Sequence, residues 1–394
     1  MPWKETEAMD QRKEFALKAM TTADFSELCR EYGISRETGY KWRRRFVEEG
    51  LGGLREKSRR PQSSPQQLEE DVVCRILRLR YAHPTWGARK LVALYERQWA
   101  PAPSESSVKR VLGKAGLLRK SVVRRASQGG RLNSGRKAQA CNEVWTVDFK
   151  GWWHDAEGKC EPLTVRDEFS RYVLAVQALP NARTETVRAV FEELFKRYGL
   201  PKAIRSDNGP PFAASQGLLG LSQLAVWWLA LGLELERSRP GCPQDNGGHE
   251  RLHWDLCREV EGVRYVGRQP TLEQWRHVFN EERPHEALGM RFPKEVYVPS
   301  ERRYTGTPEQ VTYEGLSSRR VQRAGTLRYA GQTIFLSRAL AGWDVGLQAT
   351  ATKLLAVYFG PLLLGHLDVE TASFRPIDTT VAAPSTTPAQ EAAA

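Results

Sequence analysis

The chain has 394 residues, 40% hydrophobic and 27% charged, a balance expected of a soluble protein with several folded domains. No run of about 18 apolar residues is present and no apolar stretch follows a basic start, which argues against a helical membrane span and a secretory signal. The net charge of +12 is unevenly spread: residues 1–140 hold 30 basic and 16 acidic residues, the remainder 29 and 31. A basic front third on a near-neutral body suggests a polyanion-binding module joined to a separate globular unit.

Residues 10–55 read as a first helix-turn-helix unit. One helix covers about Arg12–Met20, and a second runs from Asp24, an N-cap with Glu27 three residues on, to Tyr32. Gly33 breaks it, and Ser35 caps a third helix that ends near Glu49 before Gly50, Gly52 and Gly53. That helix turns Trp42 and Phe46 toward a core and carries Arg36, Tyr40, Lys41, Arg43 and Arg44 as candidate DNA contacts.

A second helix-turn-helix unit is expected over residues 65–120. Leu68, Val72, Ile76 and Leu79 recur at helical spacing, His83–Gly87 makes a turn, and Ala88–Glu96 and Ser104–Ala115 follow as helices. Its exposed candidates for DNA are Arg89, Lys90, Lys109 and Arg110. From Ser106 to Asn142 there is no acidic residue. Residues 121–142, with Arg124 and Arg125, therefore read as a basic linker suited to lie along phosphates.

Residues 143–300 change character. Val144–Phe149, Cys160–Arg166 and Tyr172–Ala178 are strand candidates forming an antiparallel meander. Thr184–Tyr198 is an amphipathic helix, Lys202–Ser206 a strand, Leu221–Leu231 a helix and Glu234–Arg237 a strand, and a further helix starts near Asn246. This is the order of a ribonuclease-H-like α/β core. Residues 301–378 lack helical periodicity and suggest a small all-β barrel or sandwich. The Thr, Ala and Pro-rich residues 379–394 read as a disordered tail. Six cysteines form no C-x-x-C pair and no His/Cys cluster with zinc spacing, and read as the reduced cysteines of a cytosolic protein.

Three acids in the central region could converge. Asp148 interrupts an apolar strand, where a carboxylate is costly to bury without compensation. Asp207 closes the strand after a helix, a common ligand position in open α/β sheets. Glu250 follows a glycine-containing entry into a helix. Cutting a phosphodiester needs an activated water or hydroxyl and stabilised charge on the leaving oxygen, and two hard divalent ions about 3.5–4 Å apart serve both needs with few carboxylate ligands.

Five segments stand in order: Val147-Asp148-Phe149-Lys150; Leu163-Thr164-Val165 through Ser170-Arg171-Tyr172; Ser206-Asp207-Asn208-Gly209; Pro243-Gln244-Asp245-Asn246-Gly247 through Glu250-Arg251; and Asn280-Glu281-Glu282-Arg283-Pro284-His285-Glu286-Ala287-Leu288. Together they resemble the integrase-core DDE transposases of bacterial insertion sequences, relatives of retroviral integrases. The resemblance implies Asp148, Asp207 and Glu250 as catalytic metal ligands for two Mg²⁺ ions, with Mn²⁺ as a substitute. It further implies water cleavage at the 3′ ends of the element, then attack of the freed 3′-hydroxyl on target DNA. The expected partners are double-stranded DNA, as element ends and as target, and further copies of the chain in a dimer or tetramer. The protein is expected to be cytoplasmic and DNA-associated, with no membrane. The family often carries Lys or Arg seven residues after the glutamate; here that position is Cys257, leaving Arg258 and Arg251 as candidates.

Other residues admit plainer readings. Asp167 fits a turn or ion pair, and Asn208 and Asn246 fit turns. His249 and His253 flank Glu250, either against substrate or on a solvated helix face. Trp227 and Trp228 fit a core or subunit contact, and Arg283 and His285 a brace behind the site. Two other functions stay open at this point: a DNA-binding regulator with a dead core, and a nuclease that cannot join strands.

Overall fold

The computed structural model describes residues 8–57, 67–118, 136–151, 153–155, 157–238, 247–260, 266–351 and 353–377. Arg124, Arg125, the Pro243–Asn246 stretch and the 379–394 tail lie outside them. The chain divides into two compact units, residues 1–69 and 70–394.

In the first unit α1 (Ala8–Thr21), α2 (Phe25–Glu31) and α3 (Arg36–Glu49) form around Phe15, Ala16, Ala19, Leu28, Cys29, Trp42 and Leu54. Both caps expected from sequence form. Asp24 accepts from the Glu27 amide at 2.9 Å and Ser35 from the Thr38 amide at 3.2 Å, satisfying first-turn donors. At Gly39, α3 comes so close to its neighbours that a Cβ would lie 2.6 Å from Cys29 Sγ and 3.1 Å from Phe15 and Phe25. Gly39→Val should therefore destabilise this unit by about 2–3 kcal/mol. Chemical denaturation of the full chain, read on the first transition, checks this; an unchanged midpoint would reject the packing.

The second unit opens with α4 (Glu70–Ala82), α5 (Ala88–Trp99) and α6 (Glu105–Lys114), the last capped by Ser104. The strands β1 (Val144–Phe149), β2 (Trp153–Asp155), β3 (Gly158–Cys160), β4 (Pro162–Asp167) and β5 (Val173–Ala178) follow. The expected single strand Cys160–Arg166 is split at Glu161, because β2 and β3 form their own hairpin ahead of β4. Next come α7 (Thr184–Tyr198), β6 (Ala203–Ser206), α8 (Gln223–Ala230), β7 (Glu234–Arg237), α9 (Gly247–Val260), α10 (Arg268–Glu281) and the one-turn α11 (Pro293–Val296).

The central sheet has the order β5-β4-β1-β6-β7. β5, β4 and β1 are antiparallel, and β6 and β7 run parallel to β1. This mixed sheet with helices around it is the ribonuclease-H-like core expected from sequence. Its two faces differ because strand side chains alternate. On one face Trp145, Val147, Leu163 and Val165 pack against Val187, Phe191 and Phe195 of α7 and Trp227 and Trp228 of α8. Both tryptophans are thus core residues. The other face carries Thr146 and Asp148 of β1, paired in register with Arg166 and Thr164 of β4. Beside it, Val173 and Val176 of β5 pack with Leu252 and Leu256 of α9 and Leu272, Trp275 and Phe279 of α10. Buried Asn280 secures that edge. Its amide accepts from the Val173 N–H at 2.8 Å and donates to the Val173 carbonyl at 2.9 Å, so one side chain satisfies both backbone groups.

The C-terminal region is strand-rich: β8 (Ser317–Arg320), β9 (Thr326–Tyr329), β10 (Gln332–Phe335), β11 (Asp344–Ala351), β12 (Leu354–Phe359), β13 (Leu362–Asp368) and β14 (Ser373–Pro376). Five form an antiparallel sheet, β14-β13-β12-β11-β8, and β9 pairs with β10. Their core of Val321, Leu327, Val345, Val357, Phe359 and Leu364 is continuous with Leu221, Ala225 and Val226.

Candidate active site and DNA-binding surfaces

Asp148 lies on the polar face of β1, half-buried. Burial and, after it, the like charge of Asp207 push its carboxyl up to about 7; Glu250 pushes the same way, while the Phe149 amide and Lys150 act against them. Asp207 sits just past β6, exposed, with its Oδ1 accepting from the Gly209 amide at 3.2 Å. Asn208 donates to the Ser238 carbonyl at 2.6 Å, tying the end of β6 to that of β7. Glu250 is exposed in the first turn of α9. Asp148 thus feels the charge of the other two carboxylates, yet among the described residues no group of three or more His, Cys, Asp or Glu is arranged ready to hold a metal ion. The donor chemistry nevertheless fits a hard divalent cation: all oxygen, all anionic, and with an Asp148 carboxyl raised by burial and by the like charges of Asp207 and Glu250, which a cation would offset.

The helix bearing Glu250 is fixed to the sheet by polar contacts. The Thr164 hydroxyl donates to the Asp148 carbonyl at 3.0 Å, so it accepts from His253 Nε2 at 2.8 Å. That leaves His253 Nδ1 as the acceptor nitrogen, 4.0 Å from Asp148 Oδ2. Burial, then Lys150 and Arg166, push His253 down to about 3, so at neutral pH the contact is not an ion pair. His249 is fully buried and held neutral by burial and by Arg166. Neither histidine lies on a solvated face. Asp167 is buried and caps a turn, accepting from the Ser170 amide at 2.8 Å and the Asn142 amide at 2.7 Å.

Behind α9 lies a buried ion cluster. Arg283 reaches Asp255 at 2.7 Å and pairs with Glu259, which accepts from Thr85 at 2.9 Å and from Trp275 Nε1 at 3.0 Å. Arg283 thus braces the core. Lys90, expected to be exposed, is half-buried and faces this cluster; burial, then Arg283, bring its ammonium down to about 8. Helical spacing could not show that this side of α5 would be covered. Arg97 of the same helix pairs with Glu295 at 2.9 Å and lies over the Phe292 ring at 3.8 Å.

The remaining candidates are distributed as follows. On α3, Arg36, Tyr40 and Arg44 are exposed, while Lys41 and Arg43 are half-buried over the Trp42 and Phe25 rings. Arg89 and Lys109 both pair with Glu105, at 3.2 and 2.6 Å, and Arg110 is exposed. On α9, Arg251 and Arg258 lie 4.5 and 4.1 Å from the half-exposed Trp254 ring. Sequence reading passed over Trp254, Asp255, Glu259 and Arg166. For the last, the alternation of Leu163 and Val165 with Thr164 and Arg166 is the available signal.

Among the described residues no helix is long and apolar enough to cross a membrane. The chain matches an integrase core domain over residues 138–243 and again over 231–293. In front of these it matches a helix-turn-helix domain over 11–62 and a homeodomain-like domain over 38–112. It is 28% identical over 241 residues to an insertion element IS407 protein of Burkholderia multivorans, covering 59% of this chain and 83% of that one. An insertion element IS476 protein of Xanthomonas euvesicatoria is 22% identical over 243 residues, covering 61% and 68%. The catalytic core domain of BIV integrase is 24% identical, covering 40% of this chain and 93% of that one, with a TM-score of 0.32. The chain thus carries helix-turn-helix domains ahead of a twice-matched integrase core domain, and is similar to proteins of bacterial insertion elements.

Proposed function

We propose that the protein binds the ends of its element, hydrolyses donor DNA at the 3′ ends and joins them to target DNA. Asp148, Asp207 and Glu250 would hold two Mg²⁺ ions, or Mn²⁺ in their place. The observation that carries this reading is the placement of Asp148 on the polar face of β1, Asp207 just past β6 and Glu250 in the first turn of α9, near enough that the charges of the last two, after burial, raise the Asp148 carboxyl. Perturbed acids of this kind mark functional sites. Bound divalent cations supply charge neutralisation and an activated nucleophile for in-line phosphoryl substitution. The protein's part is to present three carboxylates from β1, the end of β6 and α9, and to keep His253 neutral beside them. One site serves both steps, because hydrolysis and joining differ only in the nucleophile.

End recognition falls to the two helix-turn-helix units, 10–55 and 65–120, ahead of a catalytic core at 143–300 and a β domain at 301–378. Holding two ends at once requires a dimer or tetramer on DNA. Replacing Arg43 and Arg44 together with Ala should weaken binding to an end duplex and lower the slope of log K against log salt by about 1–2. Affinity unchanged from the parent's at both low and high salt would remove α3 from the interface.

The decisive assay incubates the full chain with Mg²⁺, a terminal inverted-repeat duplex and a target plasmid. Nicking at the 3′ end followed by joined product is expected. Nicking without joining would make the protein a nuclease, and binding without nicking a regulator.

A further inference from the structure

Glu250 stands on a helix, whereas Asp148 stands on a sheet, so the site depends on how α9 is held against β4. Arg166 is the side chain placed to hold it. It lies on the same face of β4 as Thr164 and is only 4% exposed. Its Nε donates to Thr146 Oγ1 at 3.3 Å, and its Nη1 donates to the Gly248 carbonyl at 3.0 Å. Its Nη2 pairs with Glu168, which also takes Arg171 at 2.8 Å. The guanidinium therefore spans from β1 to the first turn of α9, two residues before Glu250. The fit is tight: a Cβ at Gly248 would lie 1.8 Å from Arg166 Nη2 and 2.7 Å from its Cζ. Five residues further along α9, the Thr164–His253 bond makes a second attachment to the same strand. A buried guanidinium is costly unless every donor is engaged. One that bridges sheet and helix at this spot fixes the angle at which the helix presents its outward-facing carboxylate.

We propose that Arg166 is a positioning residue for Glu250, clamping the first turn of α9 to the sheet, and that glycine at 248 is required for the clamp to close. The proposal rests on the reading of Asp148, Asp207 and Glu250 as cation ligands.

The test compares full-length Arg166→Ala, Arg166→Lys, Gly248→Ala and Asp148→Asn with the parent protein. Three quantities are measured: end-duplex affinity, the 3′-nicking rate in Mg²⁺, and Mn²⁺ binding by the DNA-free protein, followed by the paramagnetic signal of the free ion. Arg166→Ala and Gly248→Ala should each lose about 10-fold or more in Mn²⁺ affinity and in nicking, with end binding unchanged. Arg166→Lys should recover part of both, since an ammonium can reach one of the three acceptors but cannot span them. Gly248→Ala is informative because glycine to alanine within a helix ordinarily stabilises. It also serves if Arg166→Ala fails to fold. Parent-like Mn²⁺ affinity and nicking in Gly248→Ala or Arg166→Ala, while Asp148→Asn loses both, would overturn the clamp alone. Parent-like behaviour of Asp148→Asn would overturn the carboxylate reading and the clamp with it.

Discussion

Asp148→Asn will abolish nicking and joining, by about 1000-fold or more, and leave affinity for an end duplex unchanged. The amide keeps the size of the carboxyl but gives up the anionic ligand, and a loss of roughly 4 kcal/mol of transition-state stabilisation corresponds to that factor. End binding survives because the substitution lies in β1, outside the helix-turn-helix helices. Equal loss of both properties would show that Asp148 maintains the fold rather than the chemistry. A second measurement is independent of activity. In the folded chain the carboxyl is raised from 3.8 to about 7, chiefly by burial and next by Asp207. Ionising it therefore opposes folding. The penalty is absent below the unfolded value, grows as pH rises between the two, and is complete above about 7. In EDTA at pH 8 the Asn variant should be more stable than the parent by about 2–4 kcal/mol, and the gap should close toward pH 4. Added Mg²⁺ should stabilise the parent and not the variant. A variant less stable than the parent at pH 8 would contradict the electrostatics assigned to the site.

Arg283→Ala should produce the largest loss of stability, about 3–5 kcal/mol, because it strands the buried Asp255 and the half-buried Glu259 rather than removing a balanced pair. Arg283 is 2% exposed, and its partners Asp255 and Glu259 both lie on α9. Glu259 also receives Thr85 from the turn before α5 and Trp275 from α10, so four segments meet at its carboxylate. Urea denaturation of the second unit would read the effect. Arg283→Lys should recover less than half of it, since a single ammonium cannot make both contacts. A loss below about 1 kcal/mol would place the cluster among solvent-screened surface pairs instead.

Elements governed by local rules were legible in the sequence. Asp24, Ser35 and Ser104 are caps because a short side-chain oxygen meets an unsatisfied amide within its own turn. Thr184–Tyr198 was legible because its apolar stripe repeats at helical spacing. Asp148 stood out as an acid in an apolar strand. What was not legible depends on partners distant in sequence. Lys90 reads as exposed because the groups that face it, Arg283 and the acids of α9, are distant in sequence. The histidines beside Glu250 could have faced water, and only β4 decides otherwise. Nothing near Asn280 in sequence announces that its amide will serve the backbone of Val173, 107 residues away. Arg166 read as one residue of a strand until the helix it holds was in place.

The apolar seam joining α8 to the C-terminal strands has a bearing on motion. Leu221, Ala225 and Val226 form one wall of the interior that Val321, Val345 and Phe359 complete. A segment that supplies part of another's interior cannot swing away on a tether without wetting both surfaces. Any rearrangement around the carboxylates must carry sheet, α8 and the C-terminal strands together, and find its hinge elsewhere.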